Sequence, residues 1–311
     1  MGYYGCTCFD TVSGYSNSVA VIVTLEARAK INLGLRILGS RPDGFHDIRS
    51  IFQEISLCDI LRISIKPGSG IISLSCSNAG IPSDSSNLAW KAADAFLSRT
   101  GEHLDVRIEL EKNIPSCAGL GGGSSDAAAV LKGLSRLTGI SNIDLSKIAE
   151  TLGSDVPFFI KGGSALIEGR GFRLSQVPVI LFHAVLIHPK ARVSTPWAYS
   201  AWDRDSSTSL TNNTMIKHYS PSSAVWHEGK PFPHNLRNDF LPLLEKHLPE
   251  IAELAQFMTD SKCENWGLSG SGPTFYALFR TKSRAQSFSR TLHRDFTICR
   301  SAETAGASSN G

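Results

Sequence analysis

Residues Pro115-Ser116-Cys117-Ala118-Gly119-Leu120-Gly121-Gly122-Gly123-Ser124-Ser125-Asp126 constrain this chain more than any other stretch. They lie between an alternating apolar segment (Val106, Ile108, Leu110) and an alanine-rich segment with helical spacing (Ala127, Val130, Leu131, Leu134). A glycine-rich turn between a strand and a helix lets the backbone come close to a ligand, because glycine has no Cβ. The helix behind it offers unpaired N–H groups and the positive end of its dipole, an arrangement suited to a polyphosphate. Ser124 and Ser125 add hydroxyls that can bond a phosphate oxygen or a magnesium ion. The run is not a Walker loop, which needs lysine before its Ser/Thr. Nor is it the Rossmann pattern, which needs G-x-G-x-x-G after a strand and an acid about 20 residues on.

The flanking sequence reads as interleaved strands and helices. Extended structure is expected from Val19 to Leu38, with Ala29, Ile31, Leu33, Leu35 and Ile37 on one face. Lys30 and Asn32 then share the opposite face, because strand side chains alternate with period two. Arg41-Pro42-Asp43-Gly44 is a turn. Further strands are expected near 48–57, 60–66 and 71–76, a helix over 87–99, and helices at about 124–138 and 145–152, the last capped by Asp144. A hairpin follows over 164–176, then a buried strand over 177–188. Thr195-Pro196 opens a helix. Residues 203–236, rich in Ser, Thr and Asn, read as a long loop. A helix from Phe240 to Met258, a strand pair over 266–279 and a helix over 283–293 complete the reading. The early strands come without helices between them, so the fold class is α+β rather than a doubly wound parallel sheet.

Composition narrows the function classes. Net charge is +3 over 311 residues, with 41% hydrophobic and 19% charged residues. This suits a globular chain with a small-molecule ligand, and gives no cause to expect a nucleic-acid or membrane partner. No run reaches the roughly 20 apolar residues that span a bilayer. The seven cysteines are scattered without a zinc-ligand spacing. They read as free thiols of a reducing, cytoplasmic compartment. Residues 1–20 read as a loose extension without signal- or transit-peptide character, and 303–311 as a tail.

Four further places can carry chemistry. Asp155, in Gly153-Ser154-Asp155-Val156-Pro157, suits a general base, although an aspartate there also suits a turn. Lys30 suits an electrostatic partner that keeps such an aspartate ionised, although a strand lysine also simply faces solvent. The second glycine turn, Leu268-Ser269-Gly270-Ser271-Gly272-Pro273, either buttresses the first loop, meets phosphate, or only closes a hairpin. Phe45 and His46 suit the holding of a flat ring, or a core aromatic role.

Taken together, Ala29-Lys30-Ile31-Asn32-Leu33, Pro115 to Ser125, and Leu268 to Pro273 resemble, in order, the three pattern segments of the GHMP kinases. Arg41-Pro42-Asp43-Gly44-Phe45-His46, Leu152 to Phe159, Glu168-Gly169-Arg170-Gly171 and Asn238-Asp239-Phe240 narrow the resemblance to the branch acting on a cytidine-diphosphate alcohol in isoprenoid precursor synthesis. The resemblance spans residues 25–280. It implies a two-domain fold, with a ribosomal-protein-S5-domain-2-like part over 21–178 and a ferredoxin-like part over 179–302. It implies ATP and Mg²⁺, with Asp155 as base, Lys30 as its partner, and Pro115, Ser116, Cys117, Ala118, Gly119, Leu120, Gly121, Gly122, Gly123, Ser124 and Ser125 on the nucleotide. Asn32, Phe45, His46 and Tyr199 would meet the substrate, with Gly270, Ser271 and Gly272 in the second turn. Phe45 stands where the family often has tyrosine, which keeps a ring face and loses a hydroxyl. Other readings are a homoserine or mevalonate type of kinase, and a non-catalytic nucleotide- or RNA-binding module on the same fold.

Overall fold

A computed structural model describes residues 21–208, 236–261, 263, 265–292 and 299–303. The expected N-terminal extension, most of the expected 203–236 loop and the expected tail beyond residue 303 lie outside the described residues. The chain divides into two compact units. The first comprises residues up to Ala27, Cys58–Asn113 and Gly122–Ile160; the second comprises Arg28–Leu57, Ile114–Gly121 and Lys161 onward. Two long strands, β1 (Val21–Ser40) and β2 (His46–Pro67), each contribute to both.

In the first unit, the C-terminal half of β2 runs antiparallel to β4 (Leu104–Glu111), from Ile60 opposite Glu111 to Pro67 opposite Leu104. Strand β3 (Ile72–Cys76) lies parallel to β4, with Ile72 opposite Val106. Helix α1 (Leu88–Thr100) connects these two strands, as a parallel pair requires. Its ends are set locally. The Asn87 side chain accepts from the Ala89 amide, and Gly101, at φ 72°, closes the last turn onto Leu97 O.

Helix α2 (Gly122–Thr138) packs with α1 and is buried almost continuously from Ser125 to Leu131. Gly133 marks a close approach, since a Cβ there would sit 2.6 Å from Ile63 Cδ1 and 2.8 Å from Leu25 Cδ1. Helix α3 (Leu145–Leu152) starts at the expected cap, with Asp144 accepting from Ser146 N at 3.0 Å. A turn through Ser154 and Asp155 then leads into α4 (Val156–Lys161).

In the second unit, the N-terminal half of β2 pairs antiparallel with β5 (Ser164–Gly169), which pairs with β6 (Arg173–Gln176) as the expected hairpin. Four more strands form an antiparallel sheet in the order β10 (Cys299–Glu303), β7 (His183–Ile187), β9 (Phe275–Phe279), β8 (Asn265–Leu268). Helices α5 (Thr195–Thr208), α6 (Leu241–His247), α7 (Pro249–Asp260) and α8 (Lys282–Thr291) accompany it. One apolar cluster joins Ala29, Ile31 and Leu33 to Ala118, Leu120, Tyr276 and Leu278. A second joins Leu35 and Ile37 to Phe240, Leu254, Met258 and Phe275.

Four expectations need correction. The segments expected at 48–57 and 60–66 are one continuous strand, β2. The strand expected over 177–188 is confined to His183–Ile187, and Leu181 is 76% exposed. The single helix expected from Phe240 to Met258 breaks at Leu248, which is extended (φ −131°, ψ 98°) because Pro249 follows. Helix α5 runs on to Thr208, six residues into the segment expected to be loop from residue 203. The α+β class stands, with β3–β4 the parallel pair among the strand ladders described.

Candidate active site

The second unit gathers the middle of the glycine-rich run, Lys30, Asn32 and the second glycine turn onto one framework. Within the run, Cys117 (φ 54°), Gly119 (φ 72°) and Gly121 (φ 73°) have positive φ. Alternation of this kind aims successive N–H groups toward one concave side and favours an anion there. Ser116 and Cys117 form the exposed crest, while Ala118 and Leu120 are buried as anchors. The Lys30 amide donates to Leu120 O at 3.0 Å, fixing the loop to β1.

The second glycine turn both closes a hairpin and buttresses this loop. The Ser269 amide donates to Thr274 O at 2.9 Å, closing the turn between β8 and β9. The Ser269 hydroxyl donates to Gly119 O at 2.8 Å. The two backbones touch: a Cβ on Gly119 would lie 2.1 Å from Ser269 O, and one on Gly270 would lie 3.3 Å from Gly119 O. Asn238 holds the turn from behind, donating to Leu268 O and Gly270 O at 2.9 and 2.8 Å. Ser271 bonds Thr195 Oγ1 at 3.0 Å, and Gly272 leaves room for Leu244.

Lys30 is not a solvent-facing strand lysine. It is 3% exposed, its ammonium donates to Asn32 Oδ1 at 2.6 Å, and it lies 4.5 Å from the centre of the Phe52 ring. Asn32 passes the constraint on, donating to Ser50 Oγ at 2.9 Å, which donates to Gly34 O at 2.6 Å. Tyr276 donates its hydroxyl to Asn32 O at 2.7 Å. The expected shared face of Lys30 and Asn32 is therefore a buried, oriented pair.

The same unit holds the three expected ring residues, Phe45, His46 and Tyr199. His46 stacks on Tyr199 with centroids 4.6 Å apart and meets Trp202 edge-on. Tyr199 also meets Phe240 edge-on at 4.9 Å. His46 Nε2 bonds Asp203 Oδ1 at 2.7 Å, and Ser40 Oγ donates to the same oxygen. Partial burial opposes ionisation of Asp203, but the bonds from His46 and Ser40 outweigh it and hold the carboxyl below its usual range. Phe45 is 49% exposed, with the Arg170 guanidinium 3.5 Å from its ring centre.

The first unit holds Gly122, Gly123, Ser124, Ser125 and Asp155. Helix α2 begins at Gly122, two residues before its expected start, so the last glycines of the run are its first turn. Ser125 is 3% exposed and Ser124 half-buried. Asp155 is half-buried in the turn that Val156 N closes onto Gly153 O at 3.2 Å. Sequence reasoning did not single out Asp203, although it lies one helical turn after Tyr199 and so on the same face of α5. It also passed over a buried group of Asp59, Lys112 and Asp126. The Lys112 ammonium bonds both carboxylates, and Asn113 N donates to Asp59 Oδ1 at 2.5 Å. Their separation in sequence gave no signal of this. Among the described residues, no group of three or more His, Cys, Asp or Glu side chains forms a metal-binding cluster.

Comparison with known proteins shows the family. Residues 87–163 match the family described as GHMP kinases N terminal domain, and residues 230–298 match GHMP kinases C terminal. A protein of Geobacter metallireducens named 4-diphosphocytidyl-2-C-methyl-D-erythritol kinase is 36% identical over 279 residues, covering 87% of this chain and 94% of that protein. The chain belongs to the GHMP kinases. A second relative of this GHMP kinase, from Geobacter sulfurreducens and bearing the same name, is 38% identical over 266 residues, covering 85% of the chain and 92% of the relative. The crystal structure of a 4-(cytidine 5'-diphospho)-2C-methyl-D-erythritol kinase superposes with a TM-score of 0.76 at 33% identity. It covers 91% of this GHMP kinase and 100% of the crystallised chain. The two-domain α+β fold of the family is thus the fold of this chain.

Proposed function

We propose that this GHMP kinase transfers the γ-phosphoryl group of ATP to the 2-hydroxyl of 4-diphosphocytidyl-2-C-methyl-D-erythritol, in the methylerythritol phosphate route to isoprenoid precursors. The observation that carries this reading is the close match, over more than nine-tenths of their length, to relatives named for that substrate (94% and 92%). The ring residues support it, since Phe45 and Tyr199 are aromatic rings of the kind that stack on a pyrimidine.

In the proposed reaction Asp155 accepts the proton of the 2-hydroxyl as its oxygen bonds to the γ-phosphorus. The bond from that phosphorus to the β–γ bridging oxygen breaks, and ADP leaves. Lys30, oriented by its bond to Asn32, supplies positive charge to the reacting oxygens. The main-chain amides of Pro115 to Ser125 hold the phosphates, with Gly270, Ser271 and Gly272 behind them. The phosphate oxygens and water would supply most of the ligands of a Mg²⁺ ion, with the Ser124 and Ser125 hydroxyls as the protein's contribution, and the ion would neutralise charge on the phosphates. Such a transfer gains its rate from alignment and charge neutralisation rather than from covalent catalysis. The test is turnover of purified protein with MgATP and, in turn, the cytidine-diphosphate alcohol, homoserine and mevalonate. ADP release with the first alone is expected; turnover of either of the others without it overturns the assignment.

A further inference from the structure

We propose that Asp59, Lys112 and Asp126 form a clamp that holds together the two ends of the glycine-rich segment and thereby sets the geometry of its phosphate-binding amides. The inference rests on the reading of that segment as the ATP phosphate loop.

The chain leaves β4 at Glu111, passes through Lys112 and Asn113, runs along residues 114–125 and is caught again at Asp126 in α2. Lys112 Nζ donates to Asp59 Oδ2 and, at 2.8 Å, to Asp126 Oδ2. Asp59 Oδ1 accepts from Asn113 N at 2.5 Å. One ammonium and one β2 carboxylate thus tie the outgoing strand end to the returning helix. The side chains of Lys112, Asp59 and Asp126 are 5%, 0% and 3% exposed. Bonds this well shielded from water are strong enough to hold both endpoints. A glycine-rich segment has many accessible conformations. Fixing its endpoints removes much of that freedom before a ligand arrives.

The cluster is a poor choice for stability alone. It holds two carboxylates against one ammonium, and Asp126 Oδ1 is buried without a partner. Burial pushes the Asp126 carboxyl up to about 7, with Lys112 opposing that rise and Asp59 adding to it. An apolar trio would cost less in the same place. Its position, spanning the entry and exit of the glycine-rich segment, supplies the reason for the charge.

Asp126→Ala is the cleanest cut, because it leaves Lys112 and Asp59 as a neutral pair. Titration with a non-hydrolysable ATP analogue well below the melting temperature should show Kd raised about tenfold, the loss of roughly one buried charge-assisted bond. The KM for ATP should rise alike, with kcat changed by less than about threefold, since the reacting groups are untouched. Asp126→Asn keeps an oxygen toward Lys112 and should recover most of the affinity. A purely structural role would lower the melting temperature of Asp126→Ala and leave Kd at the wild-type value, which overturns the clamp. If the alanine variant does not fold, Asp59→Asn decides: it turns an amide donor toward Lys112, so wild-type Kd in that variant also overturns it. Wild-type protein that fails to bind the analogue overturns the ATP-loop reading itself. Wild-type protein that binds it as well as the variants do overturns the clamp alone.

Discussion

Asp155 was readable as a candidate from its neighbours, because a loop carboxylate between a glycine and a proline is a familiar place for a base. Its role is tested by Asp155→Asn, which keeps the shape and removes the proton acceptor. A fall in kcat of at least about a hundredfold is expected, the usual scale for a general base, with the Kd for an ATP analogue nearly unchanged. Unaltered kcat would remove Asp155 from the chemistry. Lys30 was ambiguous as a single letter, and its burial against Asn32 and Phe52 is a property of the folded strand. Asp126 was invisible as a titrating group, since nothing in Ser-Ser-Asp-Ala tells that the carboxyl is buried. Its folded value, about 7, lies above the ordinary 3.8. Between those values the folded chain holds a proton that the unfolded chain has released. The stability it contributes is full below about pH 4 and is lost as pH rises through 7. The melting temperature of wild type relative to Asp126→Asn should therefore decline from pH 5 to pH 8. A constant difference across that range would contradict the assignment.

At the level of elements, the strands and helices with strong periodicity were legible, and those set by tertiary contacts were not. Helix α3 declared itself through Asp144 and Gly153. The break at Leu248 was legible in Pro249, yet the apolar spacing on both sides masked it. The run 177–182 is apolar without being strand, because apolar content alone does not fix backbone pairing. The two glycine turns were each legible, but not their contact. Gly119→Ala tests it: the new Cβ meets Ser269 O, and φ 72° disfavours a side chain. A loss of at least about 2 kcal/mol in urea unfolding, or a loop displaced enough to weaken ATP-analogue binding about tenfold or more, is expected. A variant with wild-type stability and affinity would show that the two turns move independently.

For the whole molecule, the α+β class followed from strand order, and the family from three motifs far apart in the chain. The division into units was harder to read, since each is assembled from separate segments. The chain passes between them after Ala27, Leu57, Asn113, Gly121 and Ile160. Both apolar clusters of the second unit draw on β1, through Ala29, Ile31, Leu33, Leu35 and Ile37. A fragment of residues 177–311 lacks all five and should not fold alone, giving a spectrum without dispersed methyl resonances. Cooperative folding of that fragment would show that β1 is dispensable to those cores. The main-chain contact of Gly119 with the second glycine turn has a last consequence. Surfaces that meet without side chains between them leave no slack to take up, so the crest at Ser116 and Cys117 stands on a rigid footing. If this loop is the phosphate site proposed above, nucleotide enters a slot already cut, and on-rates should track diffusion and charge rather than any slow rearrangement of the loop.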